Sequence, residues 1–416
     1  MKFICRLVKL LLSIVFLSVV LSGCESNGSK SLRICVDFGP YGNGNSALAE
    51  NFIFNSRDYG ISDEVEIEIV PADETERKGV LTKLRTEIAA GAGPDVFIID
   101  TYVQREDLLF RFPIQAMEQG RFLRLDEHIE KAELMEWGAL YAPIRDAGKT
   151  EKGQFLIPLA YTFPITLYDG HLDGIDISSS TTWSDMIDST NKYVCEASAM
   201  FDPRSVSRVS SVFGKIADYP TEKILFSEDD LLKAYEMAIK HENKFSLDDQ
   251  LKNYKVDMAV SFDLIDGQKV NWNFDMIPLC NISGGVTATI TAYCGINANT
   301  KYPDEAFTLI DYLLSKSSQQ NSDMYGVMLN GRAIPVYDGL MQENSPVQKW
   351  HMKEGVYQNY LEARELITQV KFRTPLDSYL TSGYADCMAV RLLGEGDIPS
   401  IAKDTYRQLS MELAES

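Results

Sequence analysis

The chain has 416 residues, 45% of them hydrophobic and 10% aromatic, which supplies packed cores for two or three lobes at ~150 residues each and excludes disorder as the main state. With 40 basic against 60 acidic side chains the formal charge is −20, and a body of that sign repels phosphate, so no nucleic-acid partner is expected. Four scattered histidines, His128, His171, His241 and His351, offer little for an imidazole-rich metal site, and neither a metal nor a cofactor is expected.

At the N-terminus, Lys2, Arg6 and Lys9 precede an apolar run from Leu10 to Leu21, the layout of a secretory signal. The run is short for a membrane span, since ~30 Å of hydrocarbon takes ~20 apolar residues, and no later stretch comes near that length. Leu21-Ser22-Gly23-Cys24 resembles the lipobox of bacterial lipoproteins, in which the cysteine thiol accepts a diacylglycerol and becomes the new N-terminus. An ordinary signal with an incidental cysteine is the alternative. Residues 1–23 thus read as a lipoprotein signal peptide, Cys24 as the lipidation site, and residues 24–31 as a polar, lipidated tether. Cleavage removes three positive charges and no acid, so the lipid rather than a basic patch must hold the body at the extracytoplasmic face of a bacterial membrane. Five further cysteines, Cys35, Cys195, Cys280, Cys294 and Cys387, form an odd set without C-x-x-C spacing; buried free thiols are expected, with a single Cys280–Cys294 bridge as the alternative.

Leu32 to Asp37 reads as a buried strand, followed by a Gly/Asn-rich loop from Gly39 to Asn45 and a short helix from Ser46. Val65 to Val70 alternates with period two. Val80, Leu84 and Ile88 share one face of a helix from about Glu74 that Gly91 ends, and Val96 to Ile99 is a continuous apolar run of the kind covered on both faces. The order is βαβαβ, and ligands in open α/β sheets bind beyond the strand carboxyl ends. That rule makes Phe38 to Asn45 and Asp100 to Tyr102 two parts of one candidate rim.

Strand-like runs at Phe155 to Leu159 and Ile165 to Tyr168 flank Ala160 to Pro164, which Pro158 and Pro164 mark as a stiff crossing between lobes. Thr182 opens a capped helix, Leu231, Leu232, Tyr235 and Ile239 make an amphipathic one, and Met258 to Phe262 reads as a buried strand. Gly284-Gly285 marks a turn before the apolar, threonine-rich Val286 to Ile296. Pro303 opens a helix with anionic residues in its first turn, and from Leu340 the pattern is almost wholly helical.

These residues carry a family likeness. Leu84 to Asp100, LRTEIAAGAGPDVFIID, resembles the most recognisable segment of carbohydrate-type extracellular solute-binding proteins of ABC importers, the group that includes maltodextrin-binding proteins. Thr182-Trp183-Ser184-Asp185-Met186, Asp257-Met258-Ala259-Val260, Ile296 to Leu314 and Gly331-Arg332-Ala333-Ile334-Pro335-Val336 match further pieces in the family's order. The resemblance implies an α/β, two-lobed, periplasmic-binding-protein-like fold (type II), with hinged lobes and the ligand cleft between them. It divides the chain into a first lobe of residues 32–159 and 290–338 and a second of 160–289 and 339–416. It also implies a monomer without catalytic activity that captures a solute by hinge closure and passes it to ABC permease subunits. One departure is that Phe262 is followed by Asp263, where the family often places a tryptophan or another large aromatic, so the position of a sugar-stacking residue is left open.

Sugars present an apolar C–H face and a fringe of hydroxyls, so their sites pair aromatic platforms with side chains able to make two hydrogen bonds. Aromatics at predicted loop or hinge positions are Tyr41, Tyr102, Tyr161, Phe262 and Tyr293, with Asn43, Asp100, Asp263 and Arg332 as polar partners; Tyr384, and beside it Tyr379, come from the late helical segment. Each has an ordinary alternative as core, helix cap or surface. Neutral mono- or oligosaccharides lead as the solute, because an acidic body disfavours anionic ligands.

Gly42-Asn43-Gly44-Asn45-Ser46-Ala47 matches G-x-G-x-x-A on paper, yet the next strand ends at Val70-Pro71 without an obvious ribose-binding acid, so an ordinary loop is the better reading. An extracellular glycoside hydrolase or lyase with paired carboxylates, and a non-transporting sensor lipoprotein of the same fold, are the rival functions.

Overall fold

The computed structural model describes residues 31–37, 65–101, 107–200, 202, 205, 207–244, 254–258, 274–320, 334–340, 354–394 and 396–415. Apart from two hairpins of two-residue strands, the strands that organise them are β1 (Leu32–Asp37), β2 (Val65–Ile69), β3 (Val96–Asp100), β4 (Leu156–Thr162), β5 (Pro164–Asp169), β6 (Tyr254–Asp257), β7 (Phe274–Pro278), β8 (Val286–Ile296), β9 (Ile334–Pro335) and β10 (Ile367–Phe372). The helices that matter for the site are α1 (Glu74–Ala89), α2 (Pro113–Glu118), α3 (Trp183–Ile187), α4 (Arg208–Val212), α5 (Glu228–Glu242), α6 (Pro303–Leu313), α7 (Glu354–Glu365), α8 (Pro375–Leu393) and α9 (Ile398–Ala414).

The expected βαβ start is present. β1 lies between β2 and β3 and is parallel to both. Asp73 caps α1 by accepting from the Thr75 and Glu76 amides, and Gly91, at φ 76°, lets the chain leave the helix. The sheet runs β9-β4-β8-β3-β1-β2, and β10 lies parallel to the first half of β8. β10 and β3 therefore occupy successive stretches of one edge of β8, the first opposite Val286–Ile290 and the second opposite Ala292–Ile296. A smaller antiparallel sheet places β5 between β6 and β7.

Two hydrophobic cores result. The first gathers Leu84, Phe97, Ile98, Ile290 and Leu309; the second gathers Trp183, Leu231, Tyr235, Leu376 and Leu409, largely on helices. β5 serves both, since Ile165 and Leu167 join the first core and Tyr168 the second. Packing of the first core thus continues past Leu159 through Phe163 without a break.

Three expectations change. Ala160 to Pro164, expected only to separate two strands, is itself mostly strand: β4 extends to Thr162 and β5 begins at Pro164. Pro158 is accommodated inside β4 because its partner Tyr293 sits at a register shift after Ala292, where the ladder is already interrupted. The strand expected at Met258 to Phe262 lies earlier, at Tyr254–Asp257; Met258 follows it, donating its amide to the Phe163 carbonyl at 2.8 Å, and residues 259–262 lie outside the described residues, as does the helix expected from Ser46. β10 interrupts the supposedly helical tail, since ITQVKF finds a parallel partner in β8. The alternative disulfide is absent: Cys35, Cys195, Cys280, Cys294 and Cys387 are free thiols, all but Cys195 buried. Among the described residues no helix is long and apolar enough to cross a membrane.

Candidate functional site

β8 is buried along its whole length, yet its sequence V-T-A-T-I-T-A-Y-C-G-I sets Thr287, Thr289, Thr291 and Tyr293 alternately with Ala288, Ile290, Ala292 and Cys294. Period two gives a buried strand one polar face. The Thr287 hydroxyl accepts from Asn281 Nδ2 at 3.0 Å, whereas Thr289 Oγ1, Thr291 Oγ1 and the Tyr293 hydroxyl have no hydrogen-bond partner among the described residues. Such hydroxyls in a protein interior are rare, because each forgoes its hydration without return.

The surroundings are polar too. Thr289 stands opposite Lys371, whose Nζ donates to the Ser210 carbonyl of α4 at 2.8 Å and pairs with Asp377 Oδ1 at 2.7 Å. Burial lowers the Lys371 pKa; burial pushes the Asp377 carboxyl up, but the charge and hydrogen bond of Lys371, the Arg373 charge and the Thr374 amide together hold that carboxyl below its ordinary value. Ser211 Oγ, next along α4, also lacks a partner among the described residues. Beyond β10, Arg373 Nη1 donates to the carbonyl of Thr101 at 3.3 Å, and Thr101 N donates to Thr291 O at 2.6 Å. A chain of polar contacts therefore crosses from the first core to the second where β3 and β10 meet along β8.

The carboxyl ends of the parallel strands are fixed by Arg77. From α1 it makes a bidentate pair with Asp37 at 2.8 and 2.6 Å, while its Nε reaches Asp107 at 2.8 Å. Burial draws the guanidinium pKa down, and Asp37 with Asp107 more than restores it. Asp257, at the end of β6, accepts from Ser205 Oγ at 2.7 Å and from Ser207 Oγ. Arg208 donates to the carbonyls of Ala199 at 2.6 Å, Ile165 at 3.1 Å and Ala197, its pKa drawn down by burial to about 10. Buried polar groups thus hold the carboxyl ends of β1 and β6 alike.

Of the site residues expected from sequence, Tyr41, Asn43, Tyr102, Phe262, Asp263 and Arg332, with the lipidation residue Cys24, lie outside the described residues. Asp100 and Tyr293 come together at the crossing: Asp100 is buried opposite Ala292, and Tyr293 stands opposite Ile99, which in turn pairs with Asp37. The Tyr293 ring meets Phe372 edge-on at 5.3 Å, and burial pushes its phenol pKa up. Tyr161 and Tyr384 do not join them. Tyr161 bonds the Tyr360 hydroxyl at 2.8 Å among Phe163 and Tyr141 in the first core, and Tyr384 packs against Tyr235 at 5.7 Å in the second. Tyr379 packs against the second core where α8 meets α9, its hydroxyl 3.3 Å from Glu412. Sequence reasoning missed Thr289, Thr291, Ser211, Lys371 and Arg373; the T-x-T-x-T-x-Y alternation was the available signal.

A cysteine and a histidine also meet, Cys195 Sγ lying 3.4 Å from His241 Nε2. Ser198 Oγ donates to the Cys195 carbonyl at 2.7 Å and Sγ donates to the Ile187 carbonyl at 3.3 Å, so Nε2 must carry the hydrogen and donate to both. Burial raises the thiol pKa and lowers that of the imidazole to about 4. A protonated thiol beside a neutral ring is the reverse of an activated nucleophile. Among the described residues no three His, Cys, Asp or Glu side chains are placed to hold a metal ion.

Two α/β cores joined by crossing strands, with buried polar groups at the junction, make a two-lobed fold of the periplasmic-binding-protein kind. Residues 45–320 match the family model described as bacterial extracellular solute-binding protein, and the chain belongs to that family. Similar solved structures include an extracellular solute-binding protein of family 1 from Alicyclobacillus acidocaldarius, with 16% identity, TM-score 0.58, and 94% of this chain and 100% of that one covered. A periplasmic oligogalacturonide-binding protein from Yersinia enterocolitica matches with 16% identity, TM-score 0.57, and 92% and 99% covered. An ABC substrate-binding protein from Listeria monocytogenes in complex with cycloalternan matches with 14% identity, TM-score 0.53, and 92% and 99% covered. No curated relative matches.

Proposed function

We propose that the protein is the substrate-binding lipoprotein of a carbohydrate ABC importer: anchored through Cys24, it captures a neutral mono- or oligosaccharide between lobes 32–159 with 290–338 and 160–289 with 339–416, and delivers it to a membrane permease without chemical change. The observation that carries this reading is the row of buried hydroxyls on β8, with Thr289, Thr291 and Tyr293 lacking hydrogen-bond partners among the described residues. Hydroxyls on an apolar wall complement a ligand that is itself a ring of C–H groups fringed by hydroxyls. Two of the solved neighbours are named for carbohydrates, which points the same way. Asp100, with Tyr102 following it, Tyr41 and Asn43 would supply the first lobe's rim, and Phe262, Asp263 and Arg332 the remainder.

Melting temperatures of the full chain against mono- and oligosaccharides, with amino acids, peptides and polyamines as controls, test this. One sugar class at ~100 times its dissociation constant is expected to stabilise by ~2.7 kcal/mol without product forming. A shift with the controls alone removes the carbohydrate assignment, and sugar turnover replaces it with the hydrolase reading. Asp100→Ala and Tyr102→Ala are expected to abolish the shift while the ligand-free protein still melts cooperatively; unchanged affinity in both refutes the rim. Cys24→Ala is expected to release the protein from membranes, and retention after that change disproves the anchor.

A further inference from the structure

Against a formal charge of −20, the basic character of a recess beside α1 stands out. Between the last turn of α1, the segment that enters α2 and the end of α9 lies a cavity of about 260 Å³ walled by Arg85, Arg111 and Arg121, with Glu415 as its acidic member. Ile88, Leu109 and Phe110 supply apolar lining. The three guanidinium groups are held differently. Arg85, half-buried, donates Nη2 to the Leu108 carbonyl at 2.6 Å and Nε to that of Leu109 at 3.4 Å, which fixes its plane without a carboxylate contact. Arg111 pairs with Glu412, whose other oxygen accepts from Tyr379. Arg121, also half-buried, makes no side-chain hydrogen bond or ion pair among the described residues.

Nearby charges do not cancel this arrangement. Asp107 faces Arg85 but is already engaged by Arg77, which itself adds positive charge, and Asp37 is bound by the same Arg77. Burial first, then the neighbouring Arg111 charge, draws the Arg85 pKa down. Guanidinium forks match the oxygens of a phosphate geometrically as well as electrically.

We propose that this recess is an anion site, separate from the crossing strands, that binds a phosphate group through Arg85 and Arg121 while its apolar lining receives the attached organic body. The phosphate belongs either to a soluble ester or to a lipid headgroup at the membrane where the protein is tethered. The site does not depend on the sugar reading, because none of its residues lies on β8, β10 or the rim loops.

The test titrates the full chain, held in neutral detergent at low ionic strength, with inorganic phosphate, following calorimetric heat and melting temperature. Saturable binding is expected that weakens at least tenfold in Arg121→Gln, recovers in large part in Arg121→Lys, weakens on adding salt, and strengthens severalfold in Glu415→Gln. Glu415 is an exposed residue at a helix end, so its substitution tests the charge without threatening the fold. Affinity for phosphate that is unchanged in both Arg121→Gln and Glu415→Gln, or no saturable binding at all, overturns the proposal. Glycerol phosphate and mixed micelles containing phosphatidylglycerol then separate the sources: tighter binding to the micelles assigns the headgroup, and equal or tighter binding to the free ester assigns the solute. In Arg121→Gln the response to sugars is expected to be unaltered, which keeps failure of this site distinct from failure of the solute cleft.

Discussion

β3 and β8 are neighbours in one sheet, paired from Ala292 to Ile296, and both are buried throughout; their polarity differs entirely. β3 is V-F-I-I-D, apolar on both faces until its last residue, while β8 carries a hydroxyl at every second position from Thr287 to Tyr293. A buried hydroxyl left without a partner costs ~1–3 kcal/mol, and valine would fill the space of threonine without that cost. Stability therefore accounts for β3 and not for β8. The same burial serves two ends: in β3 it builds the scaffold, and in β8 it encloses a row of hydroxyls on the side of the first core that β10 links to the second.

The scaffold half of the comparison carries the largest expected effect. Phe97 is fully buried in β3, edge-on to Phe110 at 5.0 Å and to Phe122 at 6.0 Å. Phe97→Ala removes the ring and leaves a cavity, which should destabilise the protein by ~3–5 kcal/mol in urea unfolding. Affinity for solute, measured per folded molecule, is expected to stay as it was. A loss well under ~1 kcal/mol would show that β3 is not the scaffold element its packing implies.

Much of the scaffold was legible because it rests on local signals. β1 and β3 are short apolar runs, α1 ends where Gly91 permits the left-handed turn, and α5 begins at a capping box formed by Ser227 and Asp230. What was not legible depends on partners far away in sequence. β10 is a strand only because β8 offers it a parallel edge, and β4 passes through Pro158 only because the ladder to β8 shifts there. The site divides in the same way. Asp100 was placed on the candidate rim by the rule that ligands gather at strand carboxyl ends, but nothing local distinguishes Tyr293, whose hydroxyl finds no partner among the described residues, from Tyr161, which shares the first core with it and bonds Tyr360, or from Tyr384 in the second core. The clamp of Arg77 on Asp37 spans 40 residues and leaves no mark in either segment.

The hydroxyl half predicts small changes in stability with large changes in binding, the inverse of Phe97. In Tyr293→Phe the ring keeps its edge contact with Phe372 and only a hydroxyl without a partner among the described residues is lost, so ligand-free stability should move by less than ~1 kcal/mol or rise slightly. Thr291→Val is expected to behave alike. If these hydroxyls are retained for a solute, each variant should lose about tenfold in sugar affinity, the ~1.4 kcal/mol of one good hydrogen bond. Thermal melts of the free protein, set beside titrations with the sugar that stabilises it most, read both quantities from the same samples. Full affinity in Tyr293→Phe and Thr291→Val would separate the polar face from the solute, and the unpaired hydroxyls would then have to be explained by movement of β10 against β8 when the lobes close. Reduced stability with unchanged affinity would place both strands in the scaffold and erase the contrast between them.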